Sequence, residues 1–137
     1  MKYEITNEAH PDNPNLRRIK ALRDFGDVKK GDLGGYIESE ENLSHDGDAW
    51  VYGNARVSDN ALVYEDALVY GDARVSDNAL VCGDAKVYGD AWVYRNARVY
   101  GGAVLSWNAV VSGDTEEPVS QFPNEITIDG VVYVKKA

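Results

Sequence analysis

Twelve residues of this chain are written twice, eighteen positions apart. Residues 51–62 read VYGNARVSDNAL and residues 69–80 read VYGDARVSDNAL, with Asn54 against Asp72 as the one difference. A fixed period constrains the fold more tightly than any local propensity. Divided before each aliphatic residue, residues 51–116 fall into eleven hexads in unbroken register, from VYGNAR to VSGDTE. The aliphatic position is Val in every hexad except at Leu105, and four residues later comes Ala in every hexad except at Thr115. Between them lies a two-residue unit such as Gly53-Asn54, Asp77-Asn78 or Gly89-Asp90.

The alternation within a hexad predicts a short half-buried strand, with Ala73 and Val75 facing one side and Arg74 and Ser76 the other. The dipeptide that follows is turn chemistry, because Gly, Asn and Asp tolerate positive φ where other residues resist it. Each hexad is therefore a strand and a corner, too small to bury its inner face except against copies of itself. Three hexads make one triangular coil, and residues eighteen apart lie above one another, separated by about 4.8 Å.

This pattern resembles the hexapeptide-repeat, left-handed parallel β-helix family. The expected fold is all-β, with about four coils of 18 residues over 49–116, an N-terminal capping segment over 1–48 and a linker with a C-terminal β-hairpin over 117–137. The handedness comes from the resemblance and not from the period. In the last segment Pro118 and Pro123 mark the linker, and two alternating runs around Asp129-Gly130 read as the hairpin. In the first, "LRRIKALRDF" reads as a strand and "GDVKKGDLGGYI" as turn-rich, while Ile37 and Leu43 already stand six apart.

Eighteen residues per turn sort the outward side chains onto three faces. Trp50, Tyr52, Tyr70 and Tyr88 fall on the first, Trp92 and Tyr94 on the second with Arg56 and Arg74, and Tyr64 and Tyr100 on the third with Cys82. These aromatic columns are candidate binding surfaces, since a contiguous apolar patch on a soluble protein normally has a partner. The resemblance implies a homotrimer, and closed assembly would cover apolar area that a small prism leaves open. Corner residues also stack: Asn60, Asn78 and Asn96 as an amide ladder, and Asp59 with Asp77, Asp66 with Asp84, and Asp72 with Asp90 as acidic columns. Such residues are turn formers first. The functional alternative is an acidic ridge that imitates a row of phosphates and blocks a basic surface on another protein.

The block from "IKALRDFGDVKKGDLGGYI" to "NLSHDGDAWVYGNARV", followed by GDA- and GNA-rich hexads, is similar to a group of small hexapeptide-repeat proteins frequent in bacteriophages and prophages. That resemblance implies a viral or prophage origin and transfers no catalytic residues.

Charge and composition narrow the function. Fourteen Lys and Arg against 23 Asp and Glu leave a net charge of −9, which disfavours nucleic acid or anionic lipid as a direct ligand. No run approaches a spanning segment and the start carries no signal pattern, so the expectation is a cytoplasmic protein of the bacterial host without membrane association. Cys82 is alone, and neither a metal-ligand cluster nor a phosphate-binding glycine motif is present, so no cofactor and no metal are expected. Of the two histidines, His10 and His45, neither lies in the regular coils. The expectation is a non-enzymatic oligomeric inhibitor of a host protein or defence system. It would act by acidic mimicry or by sequestering a small nucleotide signal. The alternatives are a hexapeptide acyltransferase with His45 as base and a self-assembling structural protein.

Overall fold

The computed structural model describes residues 1–106, 108–112, 126–128 and 131–135. Three longer strands come first, β1 (Tyr3–His10), β2 (Asn13–Ala21) and β3 (Leu33–Ile37), followed by a 3-10 turn at Glu40–Asn42. Short rungs then succeed one another at intervals of six: β4 (Trp50–Val51), β5 (Arg56–Val57), β6 (Leu62–Val63), β7 (Leu68–Val69), β8 (Arg74–Val75), β9 (Leu80–Val81), β10 (Lys86–Val87), β11 (Trp92–Tyr94), β12 (Arg98–Val99), β13 (Val104–Leu105) and β14 (Ala109–Ser112). Strands β15 (Ile126–Ile128) and β16 (Val131–Lys135) close the order. No helix among the described residues is long and apolar enough to cross a membrane.

The rungs pair in parallel with the strand three places on, forming a parallel β-helix. One sheet runs β3-β5-β8-β11-β14, a second β4-β7-β10-β13 and a third β6-β9-β12. Register is kept at eighteen, as in Arg56↔Arg74, Leu62↔Leu80 and Lys86↔Val104. Inside the prism the hexad's Val and Ala stack on themselves, with Val51 to Val99 and Ala49 to Ala97 fully buried at every sixth position. Alanine stands just inside each corner because the backbone turns there, as in the bond from Ala55 N–H to the Tyr52 carbonyl at 3.1 Å. The first corner residue takes positive φ, whether it is Gly53 (59°) and Gly71 (69°) or Asp59 (56°) and Asp77 (59°). The second does not.

Parallel pairing begins earlier than the regular hexads. Tyr36 pairs with Arg56, Ile37 with Val57, and Leu43 bridges to Val63, all twenty residues apart. The first coil is thus two residues longer than the rest, and Ile37 and Leu43 are its core positions. Gly35 permits β3 to lie so close: a Cβ there would stand 2.6 Å from both the Ala55 carbonyl oxygen and Val51 Cγ1. Upstream, β1 and β2 form an antiparallel hairpin that continues the sheet past β3, with Ile5↔Ile19 and Arg18↔Tyr36 in register.

One outward residue is displaced by this arrangement. Periodicity puts Trp50 on the outer face, yet it is 1% exposed. Its ring meets Phe25 edge-on at 5.1 Å and Tyr3 at 6.2 Å, so it anchors the N-terminal segment and is no surface for a partner. At the other end β16 lies antiparallel on β14 (Val110↔Val134) and β15 on β16 (Thr127↔Val132). The Asp129-Gly130 turn and the linker with Pro118 and Pro123 lie outside the described residues.

Candidate functional site

On the outer side of the first sheet the register makes a single column of Arg18, Tyr36, Arg56, Arg74, Trp92 and Val110. Its upper part is tightly tied. The Arg18 guanidinium bonds Glu8 at 2.6 Å and the Gly34 carbonyl at 2.8 Å, donates to the Tyr36 hydroxyl, and lies 4.5 Å from the Tyr36 ring. The turn between β1 and β2 overhangs this column: the His10 ring meets Tyr36 edge-on at 4.7 Å. Beneath the overhang runs a groove of about 510 Å³, lined by His10, Pro11, Asp12, Tyr36, Asn54, Arg56, Asp72, Arg74 and Asp90.

The groove is polar and its charges are separated. Arg56 and Arg74 stand on adjacent rungs, and like charges directly opposite one another on a sheet repel. Arg18 pairs with Glu8 within 4.0 Å, whereas Arg56 and Arg74 form no such pair with Asp12, Asp72 or Asp90. Two guanidiniums and three carboxylates therefore line one groove without a direct ion pair between them. Arg74 is held from below by Trp92, 5.0 Å from its ring, which stacks on Tyr94 at 4.4 Å and bonds Ser76. His10 Nδ1 accepts from the Asp12 amide at 3.0 Å, so the neutral ring carries its proton on Nε2 and presents a donor.

His45 lies elsewhere. Its Nδ1 accepts from the Lys2 amide at 3.2 Å, its ring stacks on Tyr3 at 4.1 Å, and its Nε2 is buried without a hydrogen-bond partner. Burial lowers its pKa. With Nδ1 already accepting and Nε2 enclosed, neither nitrogen can take a proton from an acceptor, as a general base must. The expectation of His45 as base is corrected: it is a packing residue of the N-terminal segment.

The other expected site residues divide into columns. Tyr52, Tyr70 and Tyr88 form a half-buried ladder, edge-on at 6.2 Å and then stacked at 4.8 Å, beside a shallow groove of about 450 Å³ with Leu68 and Lys86. Tyr64 stands beside Cys82, whose thiol, together with burial, pushes the Tyr64 hydroxyl up to about 12. Tyr100 is half-buried on the same face. Several corner carboxylates are taken up by backbone: Asp59 accepts from the Asp77 amide at 3.1 Å, Asp77 from the Arg95 amide at 2.9 Å, and Asp66 from the Asp48 amide at 3.2 Å. Asn60 donates to Asn78 at 3.3 Å, the first step of the expected amide ladder. Asp84 is exposed, while Asp72 and Asp90 line the groove. His10, Tyr36, Arg56 and Arg74 were not among the expected site residues. The positions of Arg56 and Arg74, one above the other on a face, carried the signal for two of them.

With this geometry in place, the chain can be compared with known proteins. A repeat family described as the YdcK β-solenoid repeat matches residues 49–65, 55–71 and 67–83. The chain is 36% identical over 50 residues to a protein of Escherichia coli (strain K12) described as "Uncharacterized acetyltransferase YdcK". The similarity covers 36% of this chain and 15% of that protein's length. Both matches accord with a hexapeptide-repeat β-helix. The similarity also corrects the expectation of a protein without enzymatic activity, because it points toward a possible enzyme.

Proposed function

We propose that the protein holds a small anionic molecule in the groove beneath the β1–β2 turn and that this molecule accepts an acyl group. One observation carries the reading: Arg56 and Arg74 face the same cavity as Asp12, Asp72 and Asp90 with no ion pair between them. A guanidinium pair binds an anion by charge-assisted hydrogen bonds. His10 lines the same groove, and its Nε2–H is available to donate to an oxygen that gains charge. The acyl class is taken from the similarity to a protein described as an acetyltransferase. The test is thiol release from acetyl-coenzyme A in the presence of pooled small anionic acceptors. Release is expected from the native protein and a loss of at least about tenfold from Arg74→Ala. Equal rates for both proteins, or release no faster than the uncatalysed background, would remove the reading.

A second reading, retention of a small nucleotide signal by a prophage-type protein inside a bacterial host, is favoured by the same guanidinium pair. It is supported by the likeness of the N-terminal block to prophage proteins and is checked by mass spectrometry of small molecules released from the purified protein. For either use, a closed homotrimer is supported by the half-buried Tyr52, Tyr70 and Tyr88 column and the 54% exposed Val104. A native mass of 15.1 kDa in light scattering would exclude it.

A further inference from the structure

The charges of the groove identify its ligand more closely, an inference that rests on the anion-binding reading above. We infer that the groove takes a phosphorylated sugar, with its phosphate across Arg56 and Arg74 and its hydroxyls on Asp72 and Asp90.

The phosphate follows from charge and spacing. Arg56 and Arg74 are register partners on neighbouring strands, so their backbones are about 4.8 Å apart. Two adjacent guanidiniums are matched by a group carrying close to two negative charges on several oxygens, as a phosphate monoester does near neutral pH. A lone carboxylate would neutralise only one of them. Trp92 lies 5.0 Å from the Arg74 guanidinium and limits the freedom of that side chain before the ligand arrives. His10, whose Nδ1 is already taken by the Asp12 amide, lines the same groove and offers its Nε2–H as a further donor for the phosphate oxygens.

The sugar follows from the column beside the arginines. Asn54, Asp72 and Asp90 repeat at eighteen along the corner that leads into that face, the Asn54 and Asp72 amides bonding the Gly71 and Gly89 carbonyls at 3.1 and 2.9 Å. An ionised carboxylate accepts only. Asp72 and Asp90 form no ion pair within 4.0 Å, and their exposed carboxylates are open to accept from the hydroxyls of a polyhydroxylated ring in place of water. A volume of about 510 Å³ is in the range of pockets for small molecules. The chain's net charge of −9 acts against a nucleic acid in the same way. The phosphorylated sugar has two sources, a free hexose phosphate or the ribose phosphate of a mononucleotide.

Calorimetric titration of the full chain separates these outcomes, using glucose 6-phosphate, adenosine monophosphate, inorganic phosphate, citrate and glucose as probes. At least one of the two sugar phosphates is expected to bind about tenfold or more tightly than inorganic phosphate and citrate, and glucose not measurably. Whichever of the two binds more tightly names the source. Arg74→Ala should weaken every anion by about tenfold, whereas Asp72→Asn should weaken the sugar phosphate and leave inorganic phosphate unchanged or improved. Both side chains are exposed, and circular dichroism is the check that each variant is folded. Citrate binding as well as either sugar phosphate would overturn the inference while leaving an anion site. No anion binding at all would overturn the inference and the anion-site reading together.

Discussion

Lys2 is completely buried, and its ammonium is satisfied only by carbonyl groups, Ala49 O at 2.7 Å and Gly47 O at 3.4 Å, with the Phe25 ring 4.9 Å away. It bonds the first coil at the open end where those carbonyls would lack donors. Loss of hydration is the main reason its pKa falls from 10.5 to about 8, and the nearby Arg23 adds to the effect. The consequence for stability has a definite sign. Between pH 8 and 10.5 the unfolded chain binds more protons at this residue than the folded one, so stability rises with pH through that window. Below pH 8 both states are charged and the burial penalty is fully present. Urea unfolding from pH 7 to 9.5 should therefore show the native protein gaining stability, by about 1–2 kcal/mol. Lys2→Met should flatten that gain. Equal slopes for the two proteins would show that Lys2 does not report on the fold.

Among the elements, the 3-10 turn at Glu40–Asn42 closes the corner of the first coil through one side chain. Asn42 is buried; its Oδ1 accepts from the Glu38 and Ser39 amides at 3.0 and 2.8 Å, and its Nδ2 donates to the Asp59 and Ala61 carbonyls at 3.1 and 2.8 Å. It thus does for the third sheet what a further rung would do. Asn42→Ala takes this partner from the Ser39 amide and the Asp59 and Ala61 carbonyls, while the Glu38 amide keeps the Val57 carbonyl at 3.2 Å; at about 1 kcal/mol each, a loss of about 2–3 kcal/mol is expected in denaturant unfolding. Asn42→Asp keeps the shape and the two accepted bonds but removes both donors, and should cost at least as much. A loss under about 1 kcal/mol for both would mean that water replaces the side chain. The rungs themselves were legible in the sequence, because Val and Ala at fixed spacing have one way to be buried together. The turn was not, since nothing in "SEEN" announces that Asn42 reaches the coil below. Trp50 misled for a related reason: its period is that of an outward residue, and only the arrival of Phe25 and Tyr3 from outside the repeat encloses it. In the groove, the Arg56–Arg74 pair could be read from the period, whereas His10 stands 46 residues from Arg56 along the chain and reaches it only through the β1–β2 hairpin.

At the scale of the whole molecule, a stack of identical rungs has no internal reason to stop. Each terminal rung offers unpaired N–H and C=O groups to the next copy, and repeat proteins need ends that differ from the repeat. In the sheet that carries the groove, both ends change direction. The β1–β2 hairpin extends the sheet antiparallel beyond β3, and β16 lies antiparallel on β14 with Ala109↔Lys135, Val110↔Val134 and Val111↔Tyr133 in register. A parallel coil from another molecule cannot continue the helix across either antiparallel strand. Deleting residues 113–137 would leave β14 as a bare parallel edge with its ladder groups open. The shortened chain should melt lower by about 4 °C or more and sediment as species larger than the native protein, growing with concentration. Restoring residues 126–135 on a flexible linker should reverse both effects, because strand pairing supplies the missing bonds whatever the path of the connection. If the shortened chain keeps the native mass and melting temperature, the antiparallel strands are not what ends the helix, and the termination must lie in the rungs themselves.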